Sequence, residues 1–189
     1  MENNQNDEYF DEQFKRVKNI NIALDEETDR GCCLLAVSFL DNEIQNLLKS
    51  KLVGSKKFIE KLFEFNGPIG TLSSKIKLAF SIGLICKELM DDLELLRKIR
   101  NQFGHSYEPI NFKTQSIHDN IQKLKGHFYQ PSENAEPRMI FTNCVLTIIG
   151  QMNNAEINLA KISEMPTTDS HNVEFQKEMR IKIKEITGK

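Results

Sequence analysis

The chain contains no tryptophan and only nine glycines and five prolines in 189 residues. So few chain breakers leave little material for the repeated tight turns of a β-sandwich. A dominant charge is lacking too: 25 Lys and Arg against 27 Asp and Glu leave a formal −2. That balance argues against nucleic acid or an anionic bilayer as a bulk electrostatic partner. No apolar run reaches the length that spans a membrane, and the longest, Met139 to Gly150, is interrupted by Thr142, Asn143 and Thr147. Residues Met1 to Asp11 are polar and acidic, the reverse of a secretory signal, so a cytoplasmic location is expected. Cysteine is scarce and unpatterned. Cys32 and Cys33 are adjacent while Cys86 and Cys144 stand alone, which fits neither a zinc spacing nor a disulfide framework. His118, His127 and His171 have no partner at a metal-binding interval. No metal and no cofactor are expected.

What the chain does have is Leu and Ile at helical spacing, which predicts an all-α fold: a single multi-helix bundle of about seven helices. Residues 1–9 read as a disordered tail, 10–165 as the helical domain, and 166–189 as a helical extension. Phe10, Phe14 and Val17 begin a short helix that ends near Leu24. Thr28 or Asp29 then caps a strong helix from Arg30 to Lys49, whose apolar stripe encloses two acids, Asp41 and Glu43. A shorter helix carries Phe58, Ile59, Leu62 and Phe63, and Asn66 to Gly70 forms a turn. Thr71 or Ser73 starts the next helix, running through Ile76, Ala79, Phe80, Gly83 and Leu84. Gly104 is expected to stop a helix from Glu88 to Phe103. Ser116 and Asp119 resemble a capping box for a helix to about Tyr129, and Pro137 opens a long helix to roughly Ile162. Asp169 or Ser170 caps a final helix, although Ile181 and Ile183 alternate as in a strand.

Few stretches could carry chemistry. Gly70 to Lys75 lacks both the spacing of a phosphate loop and a preceding strand. Lys49, Lys51, Lys56, Lys57 and Lys61 read as a solvated basic face. The segment from Arg97 to Tyr107 stands apart. Arg97, Asn101 and His105 recur every four residues, while Leu93, Leu96, Arg100 and Phe103 share another face. An arginine in an apolar row needs a counter-ion, and Asp41 or Glu43 is the natural one. Arg100, Asn101 and His105 therefore read either as a polar clamp between helices or as an RNA-cutting site. In the second reading His105 is acid or base toward a ribose 2′-hydroxyl, and Arg100 holds the charged phosphorus centre. Arg100 and His105 lie about 140° apart on an ideal helix, so they share one phosphate only if the helix unwinds or two copies pair. A homodimer is the expected assembly.

Several motifs, taken in order, resemble the mannitol operon repressor family (MltR, also written MtlR). They are Asp29-Arg30-Gly31, Ser38 to Asp41, Asn66 to Thr71, Ser74 to Ala79, Gly83-Leu84-Ile85 and Ile99 to His105. The match covers roughly Thr28 to Phe112, with an echo in Pro137 to Gly150, and Gly104 stands where the family commonly has Ala. The resemblance implies an all-helical domain that lowers transcription of a sugar-uptake operon through a protein partner, either a transcription factor or a sugar-transport component. Direct sequence-specific DNA reading is not implied, and the chain shows no helix-turn-helix with a basic second helix. A shorter stretch, Arg100 to Tyr107, is similar to the R-x4-H-x-Y motif of HEPN-domain ribonucleases. That likeness implies RNA as a substrate, Arg100 and His105 as catalytic with Asn101 in support, and Tyr107 as a site of nucleotidyl modification.

Overall fold

Eight helices and no strand make up the described residues, 2–126, 135–163 and 173–188 of the computed structural model. In chain order they are α1 (Glu2–Asp25), α2 (Asp29–Lys51), α3 (Lys56–Leu62), α4 (Leu72–Ser81), α5 (Lys87–His105), α6 (Gln115–Ile121), α7 (Pro137–Asn158) and α8 (Val173–Thr187). Seven fall in the region expected to form the bundle, and α8 occupies the C-terminal extension. His127, Tyr129, Asp169, Ser170 and His171 lie outside the described residues.

α2 is the axis of the fold and packs against α1, α4, α5 and α7. A helix with neighbours on so many sides must be apolar nearly all round. Cys32, Cys33, Ala36, Val37, Leu40, Ile44, Leu47 and Leu48 are accordingly all buried. The Thr28 side chain accepts from the Gly31 amide and starts the helix. α7 is similarly immersed. Its buried Thr142 and Thr147 hydroxyls donate back to the carbonyls of Arg138 and Asn143, at 3.0 and 2.8 Å, so neither is stranded in the core. Between α5 and α7, Phe112 fills the gap with its ring centroid 5.3 Å from Phe103 and 4.8 Å from Phe141.

The Asn66–Gly70 turn forms as the sequence implies. A Cβ at Gly67 or Gly70 would lie 2.4 or 2.2 Å from the carbonyl oxygens of Leu62 and Glu64, so only glycine allows the chain to fold back this tightly. Thr71 then caps α4 in a reciprocal box with Ser74.

Several boundaries differ from the sequence reading. α1 begins at Glu2, within the stretch expected to be a tail, because extending an existing helix needs no new nucleus. α5 passes through Gly104 to His105. Gly104 keeps a negative φ, and what turns the chain away is Arg30, whose guanidinium holds the carbonyls of Ser106 and Glu108 at 3.1 and 3.2 Å. α6 starts one residue after Thr114, whose Oγ1 accepts from the Asn111 amide, and Ser116 sits inside the helix rather than capping it. It ends at Ile121, where Asp92 takes over by accepting from the amides of Lys125 and Gly126 at 3.0 and 2.7 Å. α7 ends at Asn158 because Lys51, buried at the end of α2, donates to the carbonyls of Glu156 and Leu159 at 2.5 and 2.6 Å.

Asp29 ties the opposite end of the bundle. It accepts from the Arg138 guanidinium at 2.9 Å and from the Phe112 amide at 3.0 Å, while Arg138 also donates to the carbonyls of Leu24 and Glu27. Replacing Asp29 with Ala removes two charge-assisted bonds at a half-buried junction and should cost about 2–3 kcal/mol, read from the urea midpoint with an unchanged m-value.

Candidate functional site

The Arg97–Tyr107 segment occupies the last turns of α5 and the loop that follows. The buried face of α5 is Leu89, Asp92, Leu93, Leu96, Ile99 and Phe103. Arg100 points only about 20° away from the direction of Leu93 on a regular helix, well inside that arc. It is nevertheless exposed. At its level α2 and the start of α4 part, leaving a cleft of about 320 Å³ lined by Leu34, Val37, Ser38, Asp41, Thr71, Leu72, Ser73, Arg97, Arg100 and Asn101. The arginine in the apolar row therefore looks into a gap rather than into the core.

This corrects the expected ion pair between Arg100 and Asp41 or Glu43. Those two acids lie about 200° apart around α2, so no one cation between helices can serve both. Asp41 instead accepts from Lys75 of α4 at 2.9 Å, a buried ammonium whose carboxylate partner remains half-exposed. Glu43 faces α1 and is held by Arg16. Arg100 Nη1 donates to Asn101 Oδ1 at 3.2 Å, its one side-chain hydrogen bond among the described residues. Arg97 is bound to Glu94, with Nη2 at 2.7 Å.

His105 is exposed on the far side of α5, and among the described residues no hydrogen bond joins it to Arg100 or Asn101. Tyr107 projects fully into solvent. The structure thus brings Arg97, Arg100 and Asn101 together at the cleft and leaves His105 outside it. Sequence reading missed Ser38, Thr71 and Ser73 as cleft residues, since the last two were accounted for as helix starters, and it did not see Arg30 and Arg138 as anchors. The adjacency of Asp29 and Arg30 to a helix start was the available signal.

The three buried cysteines are not poised as nucleophiles. Burial pushes the Cys32 thiol up to about 11, and it raises Cys33 and Cys144 as well. Among the described residues no cluster of three or more His, Cys, Asp or Glu could hold a metal, and no helix is long and apolar enough to cross a membrane.

Comparison with known proteins adds the relationship that the fold alone leaves open. A model of the mannitol repressor family, MtlR, matches residues 19–155. The chain belongs to this family. The mannitol operon repressor of Escherichia coli K12 is 29% identical over 96 residues, which are 48% of this chain and 49% of that protein. The repressor of Escherichia coli O6:H1 matches to the same extent. The chain therefore aligns with about half the length of the curated relatives it matches. Among solved structures, the MtlR–HPr complex from Escherichia coli superposes with a TM-score of 0.61 at 21% identity, covering 72% of this chain and 97% of that one. YggD from Shigella flexneri 2a, described as a possible transcriptional regulator, gives 0.59 at 18% identity, covering 72% and 96%. Both likenesses confirm the mannitol repressor fold.

The ion pairs yield two measurable contrasts. Arg100→Ala should shift stability by no more than about 0.5 kcal/mol, because the side chain is exposed. Asp41→Ala should cost about 2 kcal/mol by stranding the buried Lys75, with the half-exposed carboxylate keeping the loss below that of a fully buried pair. Paired thermal melts read the difference.

Glu43 sets a pH dependence. Burial raises its carboxyl above the ordinary 4.5, with Arg16 opposing. The folded chain holds that proton more tightly than the unfolded chain. The contribution to stability is full below 4.5 and is lost as pH rises through the raised value. Urea melts across this window should show that fall in the parent chain and lack it in Glu43→Gln, which should be the more stable of the two at neutral pH.

Proposed function

We propose that this protein is a negative transcriptional regulator that acts by contacting a protein of the sugar-transport system rather than by reading DNA. Membership of the mannitol repressor family over residues 19–155 carries the reading. The fold-level relative solved as an MtlR–HPr complex supports a protein partner, for which the counterpart of HPr in this protein's own host is the first candidate. The near-neutral charge supports the same view, since a DNA-binding surface needs a concentration of cations to displace counterions from phosphates. Six of the basic residues are engaged within the fold: Lys51 and Arg138 bind helix-end carbonyls, Arg30 binds loop carbonyls, and Lys75, Arg16 and Arg97 bind carboxylates.

The test is a titration calorimetry experiment on the full chain with the host HPr counterpart, beside a retardation assay with the promoter of its sugar-uptake operon. Saturable binding to the protein and no promoter-specific shift at physiological salt is the expected outcome. Promoter-specific retardation by the purified chain alone overturns the mechanism. RNA cleavage in EDTA that disappears in Arg100→Ala and His105→Ala, with both variants folded, overturns the function itself.

A further inference from the structure

Two helical stretches at one end of the bundle are not used by the regulatory reading. Arg138 holds the Leu24 carbonyl and Asn153 donates to Gln13, so α1 runs antiparallel to α7. The Arg16–Glu43 pair sets the same course against α2. Continued on that course, the first turns of α1 pass Lys51 and Asn158, where α2 and α7 end. The chain leaves the bundle here too: Ile162 gives its amide to the Lys51 carbonyl, and α8 begins at Val173. The first turns of α1 and the whole of α8 lie outside residues 19–155, which match the family model.

The two stretches carry opposite charge. Residues 2–12 hold Glu2, Asp7, Glu8, Asp11 and Glu12 and no base. Residues 177–184 hold Lys177, Arg180, Lys182 and Lys184 against the single acid Glu178. Each also has uncovered apolar surface. Phe14 of α1 is 73% exposed, and Asp7 and Asp11 precede it by seven and three residues, the spacing of one helix face. On α8, Met179, Ile183 and Ile186 follow at intervals of four and three, and all are exposed. Every residue from Lys177 to Gly188 is exposed in the single chain. A 15-residue helix without a packed face is marginal in water, because helices owe most of their stability to covering such a stripe. α8 therefore needs a seat that its own copy does not provide.

We propose that two copies of this chain associate by exchanging α8, each laying Met179, Ile183 and Ile186 along the first half of the other's α1, over Phe14 and among its acids. Opposite charge selects the seat, with Arg180 and Lys182 bordering the apolar row of α8. Length agrees, since α8 and residues 2–16 of α1 each rise about 22 Å. A twofold axis makes the contact twice, so two modest unions hold one pair.

Analytical ultracentrifugation of the full chain reads the outcome. A dimer that dissociates on dilution is expected. Ile183→Glu and Ile186→Glu should each weaken it about tenfold or more by placing a charge in the apolar row. Both positions are exposed in one chain, so thermal melts of the diluted variants should match the parent. Arg180→Glu with Lys182→Glu, and separately Asp7→Lys with Asp11→Lys, should each give monomers where the parent is dimeric. Mixed in equal amounts, these two variants should form a dimer, because each contact in the mixed pair again joins opposite charges. A parent chain that stays monomeric overturns the proposal, as does a dimer indifferent to Ile183→Glu. A dimer lost on reversing α8 but untouched by reversing α1 means that α8 pairs with α8, and overturns it too. So does a mixture that remains monomeric, or a monomer that sediments with phosphatidylglycerol vesicles through α8. Any of these leaves binding to the HPr counterpart as an independent question, because the regulatory reading rests on residues 19–155.

Discussion

Asp29 stands where four segments of the chain meet, and the rest of the fold depends on its carboxylate being satisfied there. Its oxygens take a guanidinium from α7 and an amide from the loop before α6, while the same guanidinium collects the Leu24 and Asp25 carbonyls at the end of α1 and the Glu27 carbonyl just past it. A helix end exposes acceptors and a helix start exposes donors, so a junction of several ends is a problem of unsatisfied backbone. One Asp–Arg pair answers the carbonyls at the end of α1 and the Phe112 amide together, while Thr28 serves the start of α2. Arg30, the next residue, fixes the chain leaving α5. Two adjacent side chains thereby set the position of α5 relative to α2, and with it the width of the cleft into which Arg100 looks.

The other end of α2 is handled by the same logic with different chemistry. Lys51 is buried, and its ammonium meets two carbonyls at the end of α7, where the helix dipole favours a cation. Ile162 returns its amide to the Lys51 carbonyl, so the chain leaving α7 is stitched back to α2. Lys51, Arg30 and Arg138 each hold carbonyls at or just past a helix end.

Much of the fold was legible in the sequence because it rests on local rules. The caps at Thr28 and Thr71, the glycine turn at 66–70, Pro137 in the first turn of α7 and the apolar spacing along α2 and α5 each depend on neighbours within a few residues. The errors occurred where a distant group decides. Gly104 looks like a helix terminator, but the termination comes from Arg30, 76 residues away from the Ser106 carbonyl it holds. Ser116 and Asp119 fit a capping pattern, yet Thr114 occupies the cap because the loop before it is fixed by Asp29. The candidate site shows the same division. Helical spacing correctly placed Arg100 on the face that turns toward α2, but the pairing of Asp41 and Glu43 depended on which helices flank α2 on each side. Whether a side chain on the inward arc is covered or left facing a gap is a property of packing, and periodicity carries no information about it.

The two clamps on α2 also bear on how the chain reaches this state. The Asp29–Arg138 contact joins residues 109 apart in sequence, and Lys51 reaches carbonyls 105 and 108 residues away. Neither can form until most of the intervening polypeptide has collapsed, so the ordering entropy of a long loop is spent before these bonds return anything. A helical protein built only on nearest-neighbour hairpins escapes that barrier, whereas here α7 must return from the far end of the domain to pack on α2. Acquisition of the native state is therefore gated by the arrival of α7, and a nascent chain halted short of that helix is left with its central hydrophobic rod uncovered.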